Sequence, residues 1–230
     1  MKKGRKRTGW ESVKNIMHKQ KVILGKHLSY QFLNTPRRIL YMMSYYKFAA
    51  KIIGQHKKVL DLGCGEGLGT WLLAVECGLA KGMDNDRDAI KIGKRNWQDD
   101  RISFECADLF ARTQNDRYDA VVAFDVIEHI FPKKISTFWE QIRNYLQEDG
   151  IVIIGTPNIT SNQYASSITK AGHINLYSRE RLEAELREYF KRVFIFGAND
   201  EVVHTGFGPM AHYLIAIGIG IKTISDKRIK

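Results

Sequence analysis

Cysteine is scarce in this 230-residue chain: Cys64, Cys77 and Cys106 are all it has, and none stands at CxxC spacing. An odd, scattered set excludes a disulfide framework and a cysteine-rich metal site, and it fits reduced thiols in or beside the strands of a cytoplasmic protein. There is no HExxH pair and no EF-hand loop, so motif reading assigns no metal ligand. Long apolar runs are missing too. The longest, residues 210–221, falls short of the roughly 20 residues that cross a bilayer. MKKGRKR has the charge of a signal-peptide start, but TGWESVKNIMHKQ follows it and no apolar segment appears. Acids are nearly absent at one end. Residues 1–58 hold 15 Lys and Arg against Glu11 alone, while residues 59–230 hold 21 basic and 24 acidic residues, so the net +11 is N-terminal. Such an arm attracts phosphates, acidic substrates or an anionic membrane surface, and the alternative is a solvated basic tail.

What is present alternates. With 44% hydrophobic residues the chain can bury one sizeable core. β-branched and aliphatic runs at 58–62, 79–84, 102–107, 118–124 and 151–156 predict strands, and helical patterns at 68–76, 87–97 and 132–146 lie between them. The turn signal Asp149-Gly150 follows the last of these. Residues 37–53 have helical spacing with Pro36 at the first turn, and a helix at 178–189 with strands at 192–197 and 211–217 completes the pattern. Regular βαβ alternation implies an α/β fold with a parallel sheet and helices on both faces. Three segments follow: a basic helical arm or lid over 1–57, one domain over 58–221 and a basic tail over 222–230.

Ligands of such sheets bind at the carboxyl ends of the strands. The first strand ends in VLDLGCGEG (59–67), whose spacing is GxGxG and not the GxGxxG of a dinucleotide turn. GMDND (82–86), CADLF (106–110) and YDAVVAFDVIEHI (118–130) follow in order. Together these four segments resemble the class I S-adenosylmethionine-dependent methyltransferases, and within them the polyprenyl-quinol type and relatives that decorate bacterial surface sugars. The resemblance implies a Rossmann-like seven-stranded sheet, mostly parallel with an antiparallel last strand, flanked by helices and carrying an N-terminal helical lid. It implies S-adenosylmethionine as the cofactor. Gly63 and Gly65 let the backbone approach the methionine part, with Cys64 in the same turn. Asp84, 21 residues after Gly63, is placed to accept bonds from the ribose hydroxyls beside Asn85, or to cap the next helix as Asp86 could equally do. The family implies an adenine contact from Asp108 with Ala107 and Leu109 packing near the ring, a strand-end turn being the alternative. It also implies that Phe124 borders the cofactor, unless that ring is simply core. Asp61 would face the sulfonium and ammonium charges, and Glu66 would add to it or remain a solvated loop residue.

Absences narrow the chemistry. No Asn/Asp-Pro-Pro-aromatic segment follows the fourth strand, as an exocyclic-amine enzyme would show, and no cysteine nucleophile lies there. Transfer to a hydroxyl needs alignment and a base, for which histidine is best matched. His173 in AGHINLYS is the first candidate, because a loop above the sheet would cover the acceptor. His129 in VIEHI and His204 in NDEVVHTGFGP compete with it; His129 could instead pair with Glu128 at a helix start. His212 alternates with apolar residues and reads as structural. Pro157 and Asn158 end the fifth strand and could shape the pocket. The interleaved aromatics and bases of SYQFLNTPRRILYMMSYYKF suit a lid over a phosphate or nucleotide moiety, an RNA-binding surface, or a packed helix face. The expectation is therefore O-methylation of a small anionic, sugar- or phosphate-bearing acceptor such as a surface-polysaccharide precursor. RNA methylation and a cofactor-binding regulatory module without turnover are the alternatives, with peripheral membrane contact as a further partner. The sequence carries no signal of oligomeric state.

Overall fold

The structure, a computed structural model, describes residues 9–17, 21–111 and 116–223. Most of the basic N-terminal cluster (1–8 and 18–20) and the basic tail 224–230 lie outside the described residues. Five strands run parallel: β1 (Lys57–Leu62), β2 (Gly78–Asp84), β3 (Ile102–Cys106), β4 (Tyr118–Phe124) and β5 (Leu146–Pro157). Three more, β6 (Phe190–Asn199), β7 (Val202–His204) and β8 (Tyr213–Ile221), complete the order β3-β2-β1-β4-β5-β8-β6-β7. β8 is antiparallel to both β5 and β6, as a mostly parallel sheet with an antiparallel last strand requires. The eighth strand is an addition to the expected seven. β7 pairs with β6 across a tight turn at Asp200, whose φ of 49° is left-handed, so three residues that read as loop become a sheet edge.

Both faces are covered, and the strands are apolar on both sides for that reason. Along β4, Val121 and Ala123 enter one core while Ala120 and Val122 enter the other. The first core lies under α6 (Ile135–Tyr145) and α8 (Arg179–Tyr189). In α6, Ile135, Phe138, Trp139, Ile142 and Tyr145 recur at three- and four-residue intervals and are all buried. Truncating Trp139 would cost about 3–5 kcal/mol. α6 stops at Tyr145, short of the expected Asp149-Gly150 turn. Arg117 donates to the carbonyls of Arg143 at 3.1 Å and Leu146 at 2.7 Å, and Leu146 already pairs with Tyr118 as the first residue of β5.

The second core lies under α3 (Pro36–Ile53) and α4 (Leu68–Cys77), with Pro36 in the first turn of α3. α5 (Arg87–Asn96) covers β2 and β3 through Ile90 and Phe104. Its cap is Asp86, whose carboxylate accepts from the amides of Asp88 and Ala89. Before α3 come α1 (Gly9–Met17) and α2 (Lys26–Asn34). The segment entering α2 is fastened from outside: Ile23 exchanges two hydrogen bonds with the side chain of Asn96, and Glu66 accepts from the amides of Gly25 and His27. α2 has no side-chain cap of its own, so Glu66 serves as its N-terminal acceptor across 41 residues of sequence. α7 (Ser167–Gly172) is a short helix after β5. No described helix is long and apolar enough to cross a membrane.

Candidate functional site

The glycine turn joins β1 to α4. Gly63 and Cys64 donate to the carbonyl of Met83, and Gly65 donates to Asp84 at 2.8 Å, so the turn is tied to the end of the neighbouring strand. Gly63 has φ 70° and a Cβ there would sit 2.4 Å from Val126. Gly65 has φ 52°, and a Cβ there would meet nothing within 4 Å. Its conformation requires glycine while the space above it stays open for a ligand. Burial pushes the Cys64 thiol well above its usual range, which makes it a packed, protonated group.

Asp84 closes β2 with one oxygen on Gly65 N and the other on Asp86 N, each at 2.8 Å. Because Asp86 caps α5, the Asp84 carboxylate stays at the strand end beside the turn, next to exposed Asn85. Ala107 N binds the carbonyl of Asp84, and Asp108 receives Phe110 N at 2.9 Å in a side-chain turn after β3. Ala107 and Leu109 pack partly into the first core, with exposed Asp108 between them.

Two acids differ from expectation. Asp61 is fully buried, and its oxygens accept from Tyr46 at 2.9 Å and Thr70 at 2.6 Å. It bridges α3 and α4 with no exposed surface; burial raises its pKa to about 7 against the pull of those two hydroxyls. Glu66 is neither solvated nor beside Asp61's oxygens but holds the start of α2. Neither set of partners is legible in the sequence, because Tyr46, Thr70, Gly25 and His27 lie on segments that no local pattern connects to these acids.

Above the carboxyl ends of β4 and β5 opens a cavity of about 650 Å³. Tyr41, Tyr45, Phe124, Pro157, Leu176 and Tyr213 form much of its apolar wall. Tyr45 stacks on Tyr213 at 4.7 Å, and Tyr46 meets Phe124 edge-on at 4.9 Å, so α3 builds one side of the cavity. Arg37, Arg38 and Asp125 supply charge, with Arg38 lying 3.6 Å from Asp125. Asn158 shapes the floor by donating to the carbonyls of Gly208 and Ala211.

The three candidate histidines separate here. His173 follows α7 and lines the cavity; His129 lies against it with ring centres 5.1 Å apart. The amides of Ile174 and Asn175 both donate to the backbone carbonyl of Glu128, which carries His173 across 45 residues to the end of β4. Ligating atoms of Glu128, His129 and His173 lie within 4.8 Å of one another. Burial, with the nearby Asp125, raises Glu128 to about 8, while desolvation and the neighbouring His129 lower His173. His204 is elsewhere. It sits on the edge strand β7 opposite Gly197 and accepts from Gly206 N, outside the cavity wall. His212, read as structural, precedes β8, is exposed and lines the cavity. Glu128 itself was missed as a site residue. Its only signal was the adjacent His129, since the link to His173 is made by backbone amides.

Residues 35–189 match the family described as methyltransferase domain. The ubiquinone biosynthesis O-methyltransferase of Glaesserella parasuis is 26% identical over 126 residues, which are 51% of this chain and 52% of that protein. The mitochondrial ubiquinone biosynthesis O-methyltransferase of Bos taurus is 32% identical over 118 residues, 48% of this chain and 31% of that protein. The chain thus spans about half the length, or less, of these curated relatives. Among solved structures, the N-methyltransferase NodS of Bradyrhizobium japonicum WM9 in complex with S-adenosyl-L-homocysteine shares the fold with a TM-score of 0.62 at 17% identity, over 81% of this chain and 89% of that one.

Proposed function

Since the chain belongs to the methyltransferase domain family, we propose that it moves the methyl group of S-adenosylmethionine to a hydroxyl of a small, ring-bearing acceptor that carries an anionic group. The cofactor lies along the carboxyl ends of β1 to β4: methionine over Gly63 and Gly65, ribose on Asp84, adenine between Ala107 and Leu109 with Asp108 at its amino edge, and Phe124 at the methyl. The acceptor occupies the cavity of about 650 Å³, and that cavity carries the reading: it joins Phe124 and Asp125 at the end of β4 to the Glu128, His129 and His173 group on one side and Arg37 on the other. Its tyrosine and phenylalanine walls suit a flat aromatic ring better than a sugar, and the relatives named for ubiquinone biosynthesis support a phenolic acceptor over the surface-polysaccharide precursor expected from sequence. The methyl passes in line: the acceptor oxygen bonds to the methyl carbon as the carbon–sulfur bond breaks, and sulfur keeps the electron pair. The hydroxyl gives up its proton to water beside the Glu128, His129 and His173 group.

The test is a panel of catechols, hydroxybenzoates and hexose phosphates incubated with enzyme and S-adenosylmethionine. S-adenosylhomocysteine and an O-methylated ring product are expected. A protein that binds S-adenosylhomocysteine yet turns over no hydroxyl acceptor, or methylates only nitrogen, overturns the reading.

A further inference from the structure

We propose that Glu128, His129 and His173 bind one divalent transition cation that faces the acceptor cavity. The proposal rests on the O-methylation reading and says how the hydroxyl is activated. Three side chains from two segments bring a carboxylate and two imidazoles within 4.8 Å of one another, and His173 lies on the cavity wall. The carboxylate is incomplete. Glu128 is fully buried, its Oε2 accepts from Thr156 at 3.0 Å, and its Oε1 has no hydrogen-bond partner. An oriented, buried carboxylate with one bare oxygen beside two imidazoles is short of a positive partner.

The histidines are prepared in the same sense. His129 Nδ1 lies 2.9 Å from the carbonyl of Gly172, which can only accept, so Nδ1 carries the proton and Nε2 keeps its lone pair. An outer hydrogen bond that fixes the tautomer in this way is the usual support of a metal-bound imidazole, and Thr156 plays the matching part for the carboxylate. His173 is held by the two amides that follow it, which bind the carbonyl of Glu128. Bonds of about 2.0–2.2 Å to a central ion would draw the three ligating atoms closer together.

Two imidazoles and one carboxylate select a borderline cation of the zinc, cobalt or iron class over magnesium or calcium, which favour oxygen alone. Three protein ligands leave open positions, and the cavity whose wall includes His173 would give an acceptor hydroxyl access to them. An acceptor hydroxyl bound there becomes more acidic and releases its proton to water. The resulting oxyanion bonds to the methyl carbon, the carbon–sulfur bond breaks, and sulfur takes the pair to become the neutral thioether.

Cobalt(II) is the probe: its visible bands report nitrogen and oxygen ligands, and a near-ultraviolet thiolate band would expose binding at a cysteine instead. Protein stripped with chelator and titrated with cobalt(II) should take up one equivalent without a thiolate band. Glu128→Gln and His173→Ala should each weaken uptake by at least about tenfold, since even outer partners of a metal site are worth 10- to 100-fold. Unchanged S-adenosylhomocysteine affinity in both variants certifies the fold. Failure of wild-type protein to saturate at millimolar cobalt(II), a thiolate band, or equal uptake by the variants overturns the site. Because uptake is read without an acceptor, that failure is distinct from failure of the O-methylation reading, which is read from the acceptor panel.

Discussion

The cofactor side and the acceptor side of the sheet are built on opposite rules. At the glycine turn nearly every polar group is already matched within the protein: Gly63 and Cys64 on Met83, Gly65 and Asp86 on Asp84, Ala107 on the Asp84 carbonyl. On the acceptor side buried atoms are left over, namely Glu128 Oε1 and Asn175 Oδ1. Backbone strain gathers there as well. Asp125 (φ 55°) and Asp200 (φ 49°) are left-handed without being glycine, and both line the cavity. A wall with unmatched groups and strained residues is shaped by what it binds.

If the two sides are separable, an acceptor-side change should alter turnover and spare cofactor binding. His173→Ala and Glu128→Gln should each lower kcat by about 100- to 10,000-fold, the range for a positioned proton-handling group, with S-adenosylhomocysteine affinity unchanged by calorimetry. A parallel loss of cofactor affinity would break the comparison. The converse change is Asp84→Ala. If Asp84 holds the ribose as proposed, this removes two charge-assisted bonds and S-adenosylhomocysteine binding should weaken by about 2–4 kcal/mol. Because Asp84 also ties the turn through Gly65, a thermal melt must accompany the calorimetry, and unchanged affinity in a folded variant would displace Asp84 from the ribose.

The same division decides what was legible from sequence. The cofactor side is made of strand ends and turns within residues 59–124, where each strand is one apolar run and each turn follows its own strand. Asp61 and Glu66 are the exceptions, and both partner with earlier segments: Tyr46 on α3, and the amides of Gly25 and His27. The acceptor side draws on residues 34–45, 124–129, 157–176 and 200–213, four stretches with no common pattern. His129 and His173 could be named singly, but nothing in the sequence joins them, and His204 looked equal to both until β7 placed it at the sheet edge.

Asp61 tests the self-sufficient side by pH. Its folded pKa is raised to about 7 by burial, opposed by the hydroxyls of Thr70 and Tyr46 and reinforced by Asp84, while the unfolded chain titrates near 4. Between those values the folded protein holds a proton that the unfolded chain releases. Stability is therefore fully present below pH 4, falls as pH rises toward 7 and is level above it. Over pH 5.5 to 7 the loss is about 2 kcal/mol. Asp61→Asn should remove that part of the slope, so its melting temperature relative to wild type should climb across the interval. Parallel profiles would show that the carboxylate is already ionised in the fold.

The smallest effect is expected at Arg37. Its neighbour Arg38 lies 3.6 Å from Asp125, whereas Arg37 makes no ion pair among the described residues; both line the cavity at the start of α3. A cation without a protein anion at the mouth of a largely apolar cavity is suited to the anionic group of an acceptor. Arg37 is exposed, so the attraction acts through water and salt, and it is worth roughly the upper end of a surface pair. Arg37→Gln should raise KM for an anionic acceptor by up to about fivefold, equivalent to about 1 kcal/mol, with kcat and S-adenosylhomocysteine affinity unchanged. The difference should shrink in high salt and vanish for an acceptor whose anionic group is esterified. If the esterified acceptor loses as much as the anion, the side chain acts by packing, and the charge of the acceptor is read by Arg38 after it leaves Asp125.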